Sequence, residues 1–317
     1  MSDGNYTGIH CVLYAFFDER GQLDRAAMAR QTEAVLAAGV DGVTVLGLAT
    51  EVLKLTPDER RRVIDWAAED VASKVPLSVT ISGNSVAEQA ALAEHATRAG
   101  ADWLILQPPM VGTYSAEEYV SFFEAVAKTL SVPWAVQNAP AYLGRSLTGA
   151  DLNRLKRAVP SFACIKAESS AVVVESLMET LGADVSVLNG RGGIEMIDGL
   201  RAGCSGFVLA PDAVDLAVAC WQYWRNGDLA AAEQTYAMAL PAITFLMQSL
   251  EGLICYGKRV FGLRVGLPVF DRAPAARPTK FGLDCAQRYA VDLGPWRVRS
   301  ADNRSADNRS ARSRDPN

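Results

Sequence analysis

The sequence predicts an α/β protein: a (β/α)8 TIM barrel with a C-terminal helical appendage. Eight short runs rich in Val, Ile and Leu lie between residues 9 and 211, and amphipathic segments of helical length separate them. This alternation is typical of βα units around a parallel sheet. A doubly wound sheet usually has fewer strands and a glycine-rich phosphate-binding turn, and the chain contains neither a GxGxxG nor a Walker A motif. The pattern therefore favours the barrel.

The eight apolar runs are the predicted strands. The runs are short, and Gly, Pro or charged residues regularly break the apolar sequence, as expected of buried parallel strands that enter loops. The runs span residues 9–16, 40–47, 77–83, 103–109, 133–140, 162–169, 185–192 and 206–211.

The helices between the strands carry recognisable start and stop signals. Thr56 followed by Pro57 predicts an N-cap with proline at the first helical position, and Ser115 followed three residues later by Glu118 predicts a capping box. Four helices are expected to end at a glycine in a left-handed conformation before the next strand begins. These glycines are Gly39, Gly100, Gly182 and Gly203.

Beyond Pro211 the strand pattern stops and helices follow. The terminal stretch repeats SADNR and lacks apolar residues, so it cannot bury enough surface to offset the entropy of ordering, and we expect it to be disordered. The chain is predicted to divide into a barrel over residues 1–225, C-terminal helices packed on the barrel over 226–298, and a disordered tail over 299–317. The later helices are predicted at residues 212–226, 228–249, 250–262 and 279–293.

Composition excludes several classes of function. The chain has 317 residues, a formal net charge of −5 and a pI near 5.3, so no broad positive field attracts nucleic acid or anionic lipid. No apolar run approaches the roughly 20 residues that span a bilayer, and we expect a cytoplasmic protein without membrane contact. Six scattered cysteines without CxxC spacing and only two histidines argue against disulfides, structural zinc or a metal site.

Lys166 is unusual because a charged side chain stands in an apolar run that is predicted to be a buried strand. It ends the apolar run FACIKAES, and in a barrel the carboxyl ends of the strands form the mouth, where active sites lie. Burial in an apolar wall disfavours the ammonium form and favours a nucleophilic amine, which can form a Schiff base with a ketone. The alternative is a structural ion pair with Glu168 or Glu51.

The segment from Gly42 to Arg60, followed by the Lys166 strand, resembles the dihydrodipicolinate synthase / N-acetylneuraminate lyase family of class I Schiff-base lyases. The similarity runs from about Gly8 to Gly262. The resemblance implies a 2-keto acid substrate whose carboxylate is held by the loop at Gly47, Leu48, Ala49 and Thr50. Backbone N–H groups would bind it there, with Thr50 supplying a hydroxyl.

The chain departs from the family in strand five. Family members usually carry Tyr-Asn-x-Pro there, with the tyrosine relaying protons, whereas this chain has Gln137, Asn138, Ala139 and Pro140. Glutamine cannot exchange a proton near neutral pH. The family's tyrosine after strand four is also missing, and Tyr142 stands near where true synthases bind a second carboxylate with arginine. These differences argue against dihydrodipicolinate synthase itself.

A glutamate two residues after the lysine, together with VQNAP, resembles the subgroup that dehydrates 2-keto-3-deoxy sugar acids. In a strand Lys166 and Glu168 point to the same side, so the carboxylate could serve as acid and base or pair with the lysine. We therefore expect a hydro-lyase with Lys166, Glu168 and Gln137 as catalytic residues. Other readings are a pyruvate-releasing aldolase, a synthase-like enzyme, or a barrel that binds a keto acid without catalysis.

The remaining candidate residues surround the expected mouth. Asn138 and Tyr142 are predicted to contact substrate. Arg191, in the glycine-rich end of strand seven, is predicted to bind a distal carboxylate or hydroxyl. The sequence around Arg191 is equally compatible with a side chain that faces solvent. The chemistry requires no metal and no organic cofactor. By family analogy we expect a homodimer or homotetramer.

Overall fold

Eight parallel strands close into a barrel in the computed structural model of the chain, which describes residues 6–299. Each strand pairs with its neighbours in chain order, and β8 pairs with β1. The predicted fold class is confirmed. The strands are β1 (Gly8–Val12), β2 (Gly42–Val45), β3 (Leu77–Ile81), β4 (Trp103–Leu106), β5 (Trp134–Asn138), β6 (Cys164–Ala167), β7 (Ser186–Asn189) and β8 (Gly206–Leu209).

The strands are shorter than the apolar runs that predicted them. The run at residues 9–16, for example, yields a strand that ends at Val12, and the buried residues after it turn into the loop at the mouth. Apolar side chains therefore continue past the last ladder hydrogen bond, because the barrel's mouth is itself packed against the helices that follow. A hydrophobic pattern reports burial and not pairing, which explains the difference.

The helices surround the barrel. Thr56 caps the helix that begins at Pro57, as predicted, and forms a complete capping box with Glu59. Ser115 accepts from the backbone N–H of Glu118, which is one of the two hydrogen bonds of the capping box predicted there. The helices are α1 (Arg25–Ala38), α2 (Pro57–Val71), α3 (Val86–Ala99), α4 (Ala116–Ala127), α5 (Pro140–Leu143), α6 (Gly149–Ala158), α7 (Ala171–Leu181), α8 (Met196–Ala202), α9 (Val214–Arg225), α10 (Leu229–Leu246), α11 (Leu250–Gly252), α12 (Lys258–Val265) and α13 (Lys280–Asp292).

The four glycines predicted to end helices all have positive φ. Gly39, Gly100 and Gly203 adopt the left-handed conformation, whereas Gly182 combines a φ of 71° with an extended ψ of −174°. Glycine tolerates both conformations because it has no Cβ atom.

The C-terminal helices pack against the mouth. Helix α10 packs on α9, and a π-helical turn, Leu253–Gly257, joins α11 to α12. Among residues 6–299 no single helix is long and apolar enough to cross a bilayer, although α10 and the segment Leu250–Val265 meet the length and composition requirements as a pair bent by 109°. The boundary at residue 225 stays a prediction, and the expected disordered tail lies, beyond Arg299, outside the described residues.

Candidate active site

Lys166 lies inside the mouth of the barrel, one residue before the end of β6. Its side chain is 4% exposed, and its Nζ lies 2.7 Å from Oε1 of Glu168. The Lys166 side chain can pass close to the backbone of residue 190 because that residue is glycine: a Cβ atom there would lie 2.8 Å from Cε of Lys166. The amine is therefore buried and paired with a carboxylate, which is the arrangement that either a structural ion pair or an acid/base pair requires.

Glu168 belongs to a chain of polar side chains that crosses three strands. Nε2 of Gln137 donates to Oε1 of Glu168 at 2.6 Å, and Nε2 of Gln107 donates to Oε1 of Gln137 at 2.8 Å. Gln107 was not among the residues predicted from the sequence. Gln107 follows the end of β4, and this position could have marked it as a candidate residue. To place it beside Gln137, however, one must know the register between β4 and β5, in which Leu106 pairs with Val136.

The loop expected to hold the keto-acid carboxylate forms a 3-10 helix, Leu48–Thr50, directly after Gly47. The first N–H groups of a helix, here those of Leu48 and Ala49, have no acceptor within the helix. Thr50 is fully buried, and its hydroxyl donates to the carbonyl oxygen of Leu13 at 2.6 Å. The hydroxyl proton of Thr50 thus fastens the loop to the end of β1. The backbone N–H groups of the loop are therefore its candidate donors to an anion.

A second buried lysine, missed by the sequence analysis, lies beneath this loop. Lys258 is 1% exposed and forms an ion pair with Glu51, which follows the 3-10 helix in a left-handed conformation with a φ of 57°. Its Nζ also donates to the carbonyl oxygen of Ala15 at 2.8 Å, and Lys54 contacts the other oxygen of Glu51. Burial lowers the pKa of Lys258, while the charge of Glu51 acts in the opposite direction.

The cavity above Lys166 has a volume of ≈ 40 Å³. Its polar side chains are Lys166, Glu168 and Tyr142, and the rest of its wall is apolar or glycine. A larger cavity of ≈ 370 Å³ shares Leu48 and Leu250 with it but does not include Lys166, so the smaller cavity is the one that borders the candidate nucleophile. The apolar and glycine lining of the smaller cavity consists of Val12, Leu48, Ala49, Gly190, Gly192, Val208, Ala210, Met247, Leu250 and Leu253.

Tyr142 lines this cavity, and Arg191 lies in the chain between two of its lining residues, Gly190 and Gly192. Burial raises the pKa of the Tyr142 hydroxyl, the charge of Glu168 raises it further, and the charge of Arg191 lowers it. Nη1 of Arg191 pairs with Oε2 of Glu195 at 2.7 Å, and that carboxylate also accepts from the backbone N–H of Ala171 at the start of α7. Arg191 is partly exposed and is near enough to the tyrosine to influence a negatively charged group there.

Asn138 ends β5 and pairs with Ala167 of β6, the residue after Lys166. Its side-chain amide has partners within the protein. Its Nδ2 donates to the carbonyl oxygen of Leu147 at 3.0 Å, and its Oδ1 accepts from the N–H of the same residue at 2.9 Å. The side chain thereby pins the loop after α5, so its predicted contact with substrate stays a prediction. Among residues 6–299 no group of three or more His, Cys, Asp and Glu side chains is placed to hold a metal ion.

The sequence and the fold both match known proteins. A profile of the dihydrodipicolinate synthetase family matches residues 5–276. The putative 2-dehydro-3-deoxy-D-gluconate aldolase YagE of Escherichia coli K12 is 30% identical over 233 residues, which are 72% of this chain and 77% of YagE. The L-2-keto-3-deoxyarabonate dehydratase of Azospirillum brasilense is 30% identical over 245 residues, covering 74% and 79% of the two chains. The crystal structure of YagE with pyruvate superposes with a TM-score of 0.85 at 26% identity, covering 91% of this chain and 98% of YagE.

Proposed function

The chain belongs to the dihydrodipicolinate synthetase family and is a lyase, and we propose that it dehydrates a 2-keto-3-deoxy sugar acid through a Schiff base on Lys166. The observation that carries this proposal is the position of Lys166, which is buried at the barrel's mouth, faces a cavity and contacts a carboxylate at 2.7 Å. The name of the Azospirillum relative, a dehydratase, supports the choice of reaction.

The first step joins the substrate to the lysine. The N–H groups of Leu48 and Ala49 bind the carboxylate of the keto acid, and Glu168 accepts a proton from the Lys166 ammonium. The neutral amine then attacks C2, and one of its protons passes to the former ketone oxygen. Glu168 returns the proton that it took from the ammonium, the oxygen leaves as water, and the products are an iminium and an ionised Glu168. Because the iminium is a cation, it withdraws electrons from the C3–H bond.

The second step removes the C4 hydroxyl. Glu168 takes a proton from C3, the C–H electron pair forms the C2–C3 double bond of an enamine, and the C2–N π electrons return to nitrogen. The nitrogen lone pair then re-forms the C2–N double bond, the C2–C3 π pair shifts to C3–C4, the C4–O bond breaks, and Glu168 gives its proton to the departing hydroxyl. Water hydrolyses the resulting unsaturated iminium, which releases the dehydrated keto acid and frees Lys166. One carboxyl group can serve as base and then as acid because its protonation state alternates through the cycle. Gln137 holds the carboxylate but transfers no proton.

Aldol cleavage is the second candidate reaction, because YagE is named as an aldolase. It uses the same iminium, but a base removes the proton of the C4 hydroxyl and the C3–C4 bond breaks, which releases pyruvate after hydrolysis. The two reactions therefore differ in the bond that breaks and in the product. A barrel that only binds the keto acid would release neither product.

Borohydride reduction tests the shared intermediate. The protein is incubated with pyruvate or a 2-keto-3-deoxy pentonate, reduced, digested and mapped by mass spectrometry. We expect the adduct at Lys166 and not at Lys258, the other buried lysine, which serves as an internal control. Unreduced samples are then analysed for loss of water or release of pyruvate. The proposal fails if no 2-keto acid becomes attached to Lys166.

We also propose a cytoplasmic homodimer or homotetramer. Support comes from the acidic composition, from the six free cysteines, all buried, and from family analogy. Light scattering coupled to size exclusion measures the assembly directly, and a monomer at micromolar concentration would contradict this proposal.

A further inference from the structure

We infer that Gln107 is a positioning residue for the reaction: it sets the orientation of the Gln137 amide and thereby keeps Glu168 in the ionised form that removes the C3 proton. The inference rests on the proposed function, because it assigns Glu168 the role of base. It concerns a side chain that does not line the cavity above Lys166.

The three side chains meet because of the register of the barrel. Leu106 pairs with Val136, and Gln137 pairs with Lys166, so the residues at the ends of β4, β5 and β6 lie side by side. Gln107 and Gln137 are each 1% exposed. In such a position an amide group must find its partners within the protein, because an unpaired polar group is costly there.

The direction of the chain of hydrogen bonds follows from the carboxylate. An ionised carboxylate only accepts hydrogen bonds, whereas an amide has one donating end and one accepting end. Gln137 must therefore turn its NH2 group toward Glu168, which leaves its oxygen facing Gln107. Gln107 satisfies that oxygen by donating from its own NH2 group, so each donor in the chain points toward Glu168.

The backbone of Gln107 is held independently of its side chain. Its N–H donates to the carbonyl oxygen of Ile81 at 3.0 Å, and its carbonyl oxygen accepts from Nε2 of Gln89 at 2.8 Å. The amide of Gln107 is consequently presented from a fixed point on the barrel wall. A side chain without a donor at this position would leave the oxygen of Gln137 unpaired and free to turn toward Glu168.

Orientation matters because it decides which form of Glu168 is stable. Lys166 and Gln137 both reach Oε1 of the carboxylate, and among the described residues no group donates to Oε2. The cation of Lys166 and the hydrogen bond from Gln137 both stabilise the ionised form, which can accept the C3 proton at Oε2 from the cavity that Glu168 lines. Tyr142 is the other titratable side chain that borders this cavity, and the charges of Glu168 and Arg191 both act on it. If Gln137 presented its oxygen instead, Glu168 would need a proton to pair with it and would no longer be a base.

The test uses pyruvate, whose methyl protons exchange with solvent whenever the iminium is deprotonated at C3. Exchange in D2O is followed by proton NMR as a function of pD, with the full chain. Gln107→Glu places an acceptor beside Gln137 and should reverse the amide, so the acidic limb of the rate profile should move up by about one unit or more. Gln107→Met removes the donor without adding charge and should lower the saturated exchange rate about tenfold, with half-saturation changed less than about twofold.

The added charge of Gln107→Glu acts on Glu168 through space as well, and the double variant Gln107→Glu/Gln137→Met separates the two effects. It retains the charge but breaks the amide link, so we expect less than half of the shift. An equal shift in the double variant, or an unshifted limb in Gln107→Glu, overturns the inference.

Two further outcomes keep the test decisive. If Gln107→Glu does not fold by circular dichroism, Gln107→Met decides, and an unchanged exchange rate in that variant overturns the inference. If wild-type protein shows no borohydride adduct at Lys166 with either pyruvate or a 2-keto-3-deoxy pentonate, the proposed function and the inference fail together; an adduct with exchange insensitive to residue 107 removes the inference alone.

Discussion

Two lysine–glutamate pairs are buried in this barrel, and their surroundings differ. Lys166 and Lys258 are 3% and 1% exposed, and each contacts a glutamate that is itself buried. Lys258 also contacts the carbonyl oxygen of Ala15 and lies 5.4 Å from the centre of the Phe17 ring. Lys166 instead lines a cavity. Burial and an acidic partner are thus common to both, and access to empty space distinguishes them.

The comparison separates the lysine that we propose reacts with substrate from the lysine that supports a loop. Lys258 pairs with Glu51, which has a left-handed conformation directly after the 3-10 helix at Leu48–Thr50, so it supports the loop that we propose binds the substrate carboxylate. Lys166 borders a cavity of ≈ 40 Å³, which provides the contact with empty space that the proposed bond to a substrate carbon requires. A buried ion pair is weak evidence for function unless a ligand can reach it.

The largest expected effect separates the two lysines by activity. Lys166→Met removes the nucleophile and should lower turnover by at least ~10³-fold and abolish the borohydride adduct. Lys258→Met should keep the adduct at Lys166, because it removes only support for the loop. The assays are substrate turnover and peptide mapping. Two results would contradict the assignment of Lys166 as the nucleophile. One is an adduct that still forms in Lys166→Met, and the other is an adduct that is lost in folded Lys258→Met but not in Lys166→Met.

The next effect concerns the two carboxylates. Glu168→Gln keeps the shape of the side chain but removes its basicity, so kcat should fall about 10² to 10⁴-fold while borohydride still traps the keto acid. Glu51→Gln should act mainly on the Michaelis constant, because Glu51 contacts the loop's supports and not the substrate. Steady-state kinetics on the two matched variants measures the difference. A larger loss of kcat in Glu51→Gln than in Glu168→Gln would contradict the assignment.

Stability should show the opposite ranking. Lys258→Met leaves Glu51 buried with only Lys54 as its cationic partner, and we expect a loss of about 3 kcal/mol in the free energy of unfolding. Lys166→Met should cost less, because Glu168 keeps Gln137 and borders a cavity. Urea titration of both variants measures the costs. The double variant Glu51→Leu/Lys258→Met should recover much of the loss, since it leaves no buried charge behind.

These two lysines also show how far the sequence could lead. Lys166 is recognisable because a charge interrupts an apolar strand, and the position of a strand end within a barrel is a local inference. Lys258 lies in a helical segment whose burial depends on contact with Ala15 and Glu51, more than 200 residues away in the chain. The hydrophobic periodicity of the helix that contains Lys258 does not indicate that contact. Long-range packing decides the environment of Lys258, so local patterns could not identify it.

The polar residues of the site divide in the same way. Gln137 and Glu168 are visible at strand ends, but Gln107 gains meaning only from the register between β4 and β5. The sequence suggested that Thr50 offers a hydroxyl to substrate, whereas in the structure that hydroxyl donates to Leu13. Residue types were predictable from motifs, while the partner of each hydrogen bond depends on the positions of neighbouring strands.

The smallest expected effect comes from a third buried carboxyl group, Asp212, which has a neutral partner where the two glutamates have lysines. Its Oδ1 accepts from the hydroxyl of Tyr14 at 3.0 Å, and burial raises its pKa from 3.8 to about 6. Since the folded-state pKa lies above the unfolded one, the native state binds the proton more readily. Asp212 therefore stabilises the protein as the pH falls from about 6 toward 4 and costs stability as the pH rises through 6.

Asp212→Asn removes this titration, so its stability relative to wild type should rise by about 2 kcal/mol between pH 4 and pH 7. The comparison must be made between variants, because His10, whose pKa burial lowers to about 4, gives both proteins a loss of stability as the pH falls through the same range. Urea titrations at the two pH values measure the difference. A constant difference would mean that Asp212 keeps its charge over this pH range despite its neutral partner, and that a cationic partner is not what distinguishes the two glutamates from it.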